Sequence, residues 1–207
     1  MASTIIHICV AKKLNEYLNY DSKHLLLGTI APDISKLIGE TKQKTHFLTD
    51  YNSDIPNIKW FLSKYKKHLK DPFVMGYLIH LYTDKIWFNN FMPNKICNTN
   101  IKLLDGTIIN TTEKERMRLV YNDYTSLNIQ LIEQYNLDLS LFYEQTHYPE
   151  DIIKEIPLDK LQLLINKASE IIMNSKEEKA YIFDITNIIE FIDQCNNEIL
   201  DKIKNII

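Results

Sequence analysis

His80 and Asp84 are the residues of this sequence whose types and spacing most directly suggest chemistry. They interrupt the run 73–88, which is mostly apolar, so a helix formed by this run would be buried on most sides. Residues four apart lie on the same face of a helix, one turn apart. An unpaired buried carboxylate is energetically costly and is normally paired or bound to a metal. The pair therefore predicts a shared partner, and a divalent cation would serve both side chains.

Three other residues could complete such a metal site. His7 lies among apolar residues near the start of the chain, Asp33 follows a short apolar stretch that ends in proline, and His46 precedes Phe47. Carboxylates and imidazoles suit Zn²⁺ and also Fe²⁺, Mn²⁺ or Co²⁺, because ligand type alone does not settle the ion. The candidate metal ligands are His7, Asp33, His46, His80 and Asp84.

Each of the three added residues also has a simpler interpretation. A single histidine on an apolar helix, such as His7, is often a hydrogen-bonded core residue. Asp33 could cap a helix, and His46 could lie in a surface loop. The choice depends on whether the folded chain brings the five side chains together.

Length and composition predict a single domain, residues 1–207. Hydrophobic residues make up 45% of the 207 and aromatic residues 11%, as in a globular protein, and no Pro/Gly/Ser-rich linker divides the chain. The formal net charge of −3, with 24 basic and 27 acidic residues intermixed, argues against binding to duplex nucleic acid. The low counts of 4 glycines and 6 prolines favour helices over a turn-rich β fold.

Cysteines and apolar segments bear on location. Cys9, Cys97 and Cys195 are widely spaced and form no CxxC pair, which is typical of a reduced, intracellular protein. The first residues lack a basic region followed by an apolar one, so they predict no secretory signal. No stretch approaches the ~18 uncharged apolar residues of a membrane span. We therefore expect a cytoplasmic protein without a transmembrane segment.

Capping signals and apolar periodicity predict an all-α bundle of roughly seven helices. Helix starts are marked by Ser3 or Thr4, by Asp54-Ile55-Pro56, by Asp71-Pro72 and by a capping box at Thr112 and Glu115. Asp105-Gly106 between two apolar runs predicts one small β-hairpin inserted into the bundle. The predicted helical ranges are 4–18, 22–29, 54–69, 72–93, 113–135, 138–145, 158–174 and 184–204.

Four motifs follow one another in order through the first part of the chain: TIIHICVA at 4–11, LGTIAPD at 27–33, THF at 45–47 and GYLIHLYTDKIW at 76–87. Together they resemble the zinc-dependent phospholipase C family, whose fold is shared with the single-strand-specific zinc nucleases. The resemblance implies a helical metalloenzyme. In it, Asp33, His46, His80 and Asp84 match the ligands of one ion.

The resemblance also implies how a second ion would bind. Asp84 matches the carboxylate that bridges two ions, and His7 matches a ligand of the second ion. In secreted members the amine of the mature N-terminus joins that ion too. The family's third ion uses a histidine soon after the bridging aspartate, but this chain has Phe88, Asn89 and Asn90 there.

The other ligands of that third ion are a later His-x-x-x-Asp/Glu. His147 has this spacing to Asp151, but the intervening Pro149 disfavours a helical pair. We expect two ions at most, with His147 and Asp123 as open candidates for the site.

The leading functional prediction is a zinc-dependent hydrolase of a phosphate ester or phosphodiester. A water or hydroxide between two ions that share Asp84 would be a nucleophile near neutral pH, and the ions would polarise a phosphoryl oxygen. Asp33 would orient that water or accept its proton, which makes Asp33 and Asp84 the predicted catalytic residues. The expected substrate is a small molecule or a lipid head group.

Two alternatives remain open at this point. A metalloenzyme that forms or hydrolyses amides or thioesters in small-molecule biosynthesis could use the same scaffold, because a fold does not fix the reaction. A non-catalytic helical protein could hold a structural metal with the same ligands. The sequence leaves the oligomeric state open.

Overall fold

Helix starts coincide with side chains that can cap them. The computed structural model describes residues 1–138, 140 and 149–206. Ser3, Asp71 and Asp184 each accept a hydrogen bond from a first-turn backbone N–H, which has no partner inside the helix. The helices are α1 (Thr4–Leu18), α2 (Ser22–Ile30), α3 (Ile34–Leu37), α4 (Lys42–Thr45), α5 (Ile58–Tyr65), α6 (Pro72–Ile86), α7 (Glu113–Gln134), α8 (Leu161–Met173) and α9 (Ile185–Lys204).

The predicted all-α fold is confirmed. Within the described ranges, seven helices have eight or more residues, and the capping box of Thr112 and Glu115 opens α7 as predicted. The predicted helix over 138–145 falls almost entirely outside the described residues. None of the described helices is long and apolar enough to cross a membrane.

The boundaries of α5 and α6 differ most from the prediction. α5 begins at Ile58 with Asn57 as its cap, not at Asp54, because the Asp54 carboxylate pairs with Lys42. The α-helical geometry of α6 ends at Ile86, and a π-helical turn, Trp87–Phe91, continues it. The backbone hydrogen bonds continue through a π-helical turn, so the apolar pattern beyond residue 86 predicts one longer helix.

The predicted hairpin is present but is part of a larger sheet. Strands β2 (Asn100–Lys102) and β3 (Ile108–Asn110) pair antiparallel, with Ile101 opposite Ile109. A third strand, β1 (Ile96–Cys97), pairs with β2, so the sheet order is β1-β2-β3. The prediction of one hairpin missed β1 because a two-residue strand carries no periodic signal.

α2 and α6 cross with their backbones in contact, and this crossing positions much of the site. A Cβ added to Gly28 would lie 2.0 Å from the Phe73 carbonyl oxygen, and one added to Gly76 would lie 2.0 Å from the Leu25 carbonyl oxygen. Glycine at both positions therefore permits the close approach. As a result, the backbone of Thr29 on α2 lies beside α6.

Asp123 of α7 ties that helix to the segment before α9. Its buried carboxylate accepts hydrogen bonds from the backbone N–H groups of Tyr181, Ile182 and Phe183, at 2.9, 2.7 and 3.1 Å. Burial raises the pKa of this carboxyl, and the three N–H donors oppose that rise. Asp123 thus joins two parts of the chain that are far apart in sequence.

Replacement of this carboxylate, Asp123→Asn, is expected to lower the free energy of unfolding by about 2–4 kcal/mol. The amide would turn an N–H₂ group toward backbone donors, leaving buried donors without acceptors. Urea unfolding followed by circular dichroism measures the loss. The control is Asp159→Asn, an exposed aspartate, which should change stability by less than about 0.5 kcal/mol. Equal stability of the two variants would contradict the role assigned to Asp123.

Candidate metal centre

The five predicted ligand residues converge in the fold. His7 lies on α1, Asp33 ends the 3-10 turn Ala31–Asp33 between α2 and α3, and His46 follows the last residue of α4. His80 and Asp84 lie one turn apart on α6. The three histidines and Asp84 are completely or almost completely buried. They form a cluster of the kind that can hold a metal ion.

Three ligand atoms have the mutual spacing of ligands in a tetrahedral shell, and Asp33 Oδ1 lies near one of the three. His46 Nε2 lies 3.2 Å from His80 Nε2, 3.7 Å from Asp33 Oδ1 and 3.7 Å from Asp84 Oδ2. His80 Nε2 lies 3.6 Å from Asp84 Oδ2. Zinc bonds of ~2.0–2.2 Å at tetrahedral angles separate ligand atoms by roughly 3.3–3.6 Å. The spacing of His46 Nε2, His80 Nε2 and Asp84 Oδ2 therefore fits a small divalent cation.

The second oxygen of Asp84 faces a different imidazole. His7 Nε2 lies 3.3 Å from Asp84 Oδ1, which also accepts a 3.1 Å hydrogen bond from the backbone N–H of Ala2. The rings of His7 and His80 stack with centroids 3.9 Å apart. Because its two oxygens are directed to separate imidazoles, Asp84 has the arrangement required of a carboxylate between two ions.

Backbone and hydroxyl groups orient two of the imidazoles. His80 Nδ1 lies 2.7 Å from the Thr29 carbonyl oxygen, which can only accept, so Nδ1 carries the proton and Nε2 faces the cluster. His46 Nδ1 lies 3.0 Å from the Thr45 hydroxyl, which can accept from it in the same way. Such hydrogen bonds to the outer nitrogen are typical of metal-ligating histidines.

Burial sets the protonation of the cluster. Burial is the largest effect on His7 and His46 and lowers their pKa values to about 4 and about 3, so both are neutral lone-pair donors near pH 7. Burial also disfavours the charged form of His80, but Asp84 outweighs it and raises the pKa of His80. A cation that binds at His80 must therefore compete with a proton.

Several buried polar atoms of the cluster have no hydrogen-bond partner among the described residues. They are Asp33 Oδ1, Asp84 Oδ2 and both ring nitrogens of His7. Buried polar atoms are nearly always satisfied, because leaving them unpaired costs free energy. A cation would satisfy these atoms, so the residues present fit a metal site.

The structure gives Asp123, one of the two open candidates, a role outside this cluster. The oxygens of Asp123 accept backbone N–H groups, so that residue serves the packing of α7. His147 lies outside the described residues. Sequence reasoning missed several neighbours of the cluster, among them the Thr29 carbonyl and Lys36, whose Nζ lies 3.5 Å from Asp33 Oδ1. The i,i+3 spacing of Asp33 and Lys36 could have indicated the contact of Lys36 with Asp33. No sequence pattern indicates the contact of a backbone carbonyl such as that of Thr29.

Comparisons with known proteins provide no family assignment. No protein-family model, curated protein or solved structure significantly matches the chain. The resemblance to the zinc-dependent phospholipase C family thus stays a prediction, and function has to be inferred from the geometry of the cluster.

Proposed function

We propose that this protein is a metal-dependent hydrolase of phosphate esters or phosphodiesters, with zinc as its metal and Fe or Mn as ions of similar ligand preference. The observation that carries the proposal is the placement of Asp84, whose two buried oxygens face separate imidazoles. Paired ions about 3.5–4 Å apart are a common feature of phosphoryl hydrolases. A carboxylate with this placement supports such a pair.

The chain's own residues would hold and orient the reactants. When bound, divalent cations supply Lewis-acid chemistry, which polarises a phosphoryl oxygen and makes water a nucleophile near neutral pH. Burial of the three histidines and Asp84 excludes bulk water, which strengthens electrostatic interactions in the site. These residues therefore concentrate charge where negative charge develops during attack on phosphorus.

Asp33 would orient the attacking water and accept its proton. Burial tends to raise the pKa of Asp33, but Lys36 and the neighbouring imidazoles lower it, so the carboxylate is ionised near neutral pH. Its side chain is 14% exposed, whereas those of the other ligand residues are at most 1% exposed, although its Oδ1 is buried. The ionised carboxylate can accept a hydrogen bond from water at the edge of the site, and it can take up the proton as the attack proceeds.

A non-catalytic protein with a structural metal is the second candidate. The observation that favours it is the burial of the three histidines and Asp84, because structural sites are closed. A metalloenzyme that acts on amides or thioesters would use the same ligands. The positive charge of Lys36 beside Asp33 favours an anionic substrate instead, which supports a phosphate ester.

The test combines metal analysis with a hydrolysis assay. The purified protein is expected to contain one or two equivalents of zinc, measured by elemental analysis. The zinc-loaded protein should hydrolyse an aryl phosphodiester and an aryl phosphomonoester. Removal of the metal with a chelator should abolish this activity, and added Zn²⁺ should restore it. Metal-free protein that hydrolyses them equally fast would contradict the proposal. Zinc-loaded protein that hydrolyses neither would favour the structural-metal candidate.

A further inference from the structure

The metal centre meets solvent at Asp33. His7, His46, His80 and Asp84 expose at most 1% of their surface, whereas the Asp33 side chain is 14% exposed. Molecules that reach the cluster from solvent therefore approach it beside Asp33. The charges around this carboxylate decide what kind of molecule is attracted there.

Lys36 lies at this exposed edge. Its Nζ is 3.5 Å from Asp33 Oδ1, and the side chain is 46% exposed. Helical spacing of i,i+3 holds the ammonium near the carboxylate. Lys36 Nζ also donates to Met1 Sδ at 2.7 Å, and a thioether is a weak acceptor. Because an ammonium has three donors, one remains for an anion that arrives from solvent.

A second lysine near the cluster is already engaged. Lys42 acts on His46 electrostatically, but its ammonium pairs with Asp54 and lies 5.7 Å from the centre of the Phe88 ring. Its charge is therefore largely balanced by partners outside the cluster. Lys36, by contrast, pairs within the described residues with Asp33, which would itself bind the metal.

We propose that Lys36 is a substrate-binding residue that contacts a non-bridging phosphoryl oxygen and selects anionic phosphate esters over neutral esters and amides. Once a cation neutralises Asp33, the ammonium of Lys36 has excess positive charge directed at the edge where substrate enters. A charge-assisted hydrogen bond to a phosphoryl oxygen would balance it. This inference rests on the proposed function, which supplies the phosphoryl group.

The experiment measures binding of inorganic phosphate to the zinc-loaded protein by titration calorimetry at low salt. Lys36→Met and Lys36→Gln are expected to weaken phosphate binding roughly 10- to 100-fold, the range expected for loss of one hydrogen bond to a charged group. Lys36→Arg, which keeps the charge, should bind within about threefold of the wild type. All three variants should retain the zinc content of the wild type.

The matched control is Lys154→Met. Lys154 forms an ion pair of the same i,i+3 spacing with Asp151, is 68% exposed and belongs to neither the cluster nor its edge. Its loss should leave phosphate binding unchanged. The control thus separates a local contact from a general effect of net charge.

The outcomes distinguish the two proposals. If Lys36→Met bound phosphate with an affinity within about twofold of the wild type at equal zinc content, the role of Lys36 would be overturned. The hydrolase proposal would remain intact. Loss of zinc from Lys36→Met would also overturn it, because Lys36 would then act by positioning Asp33. A zinc-loaded wild type that neither binds phosphate nor hydrolyses phosphate esters would instead remove the proposed function.

Discussion

The Gly76→Ala protein is expected to lose about 3–5 kcal/mol of its free energy of unfolding. The added Cβ would lie 2.0 Å from the Leu25 carbonyl oxygen and 2.9 Å from the Thr29 backbone nitrogen. Both contacts are with backbone, so a rotamer change cannot relieve them. α2 and α6 would have to separate, and the loss is a large fraction of the 5–15 kcal/mol that is typical of a folded domain.

Urea unfolding followed by circular dichroism measures this loss, and Ser63→Ala on α5 is the control. Ser63 is exposed, and its replacement should change stability by less than about 0.5 kcal/mol. Any Gly76→Ala protein that remains folded should also bind metal less tightly, because separation of the helices withdraws the Thr29 carbonyl from His80. A Gly76→Ala protein as stable as the control would show that the crossing can relax.

Asp84→Asn is expected to lower zinc affinity by at least about 100-fold and phosphodiester hydrolysis to below about 1%. The amide is neutral, so it cannot balance two cations. It would also keep only one oxygen, so it could not offer a metal-binding oxygen to the imidazoles on both sides, 3.3–3.7 Å away. Elemental analysis and the hydrolysis assay measure the two effects.

The control for this substitution is Asp193→Asn on α9. Asp193 also pairs with a cationic side chain, Lys13, but it is about half exposed and lies outside the cluster. This variant should retain zinc and activity, and thermal melting should show both proteins folded at the assay temperature. If Asp84→Asn kept the zinc and the activity of the wild type, the cluster would not be the metal site.

Local capping explains why the sequence predicts the helix starts well. The side chains of Ser3, Asp71 and Thr112 each bind a backbone N–H three residues ahead, so the signal lies within one turn. The start of α5 could not be predicted in this way. Asp54, which looks like its cap, pairs with Lys42, and only the folded chain brings the two together.

In the site, too, contacts within one helical turn could be predicted from the sequence, whereas contacts between distant residues could not. His80 and Asp84 are one turn apart, so their shared face follows from helix geometry alone. The orientation of the His80 ring depends on the Thr29 carbonyl, 51 residues away, and on two glycines that let α2 and α6 touch. Likewise, Asp123 looks like a further ligand until its backbone donors at 181–183 are known.

Under the proposed function, the buried carboxylate of Asp84 would link folding to the supply of metal. Asp84 is completely buried, and a buried carboxylate costs free energy unless a cation or hydrogen bonds balance its charge. An ion that binds only the native chain stabilises it in proportion to the logarithm of the free ion concentration. Each tenfold fall in free zinc would therefore cost about 1.4 kcal/mol per ion near saturation, so metal starvation would act first on the amount of folded protein.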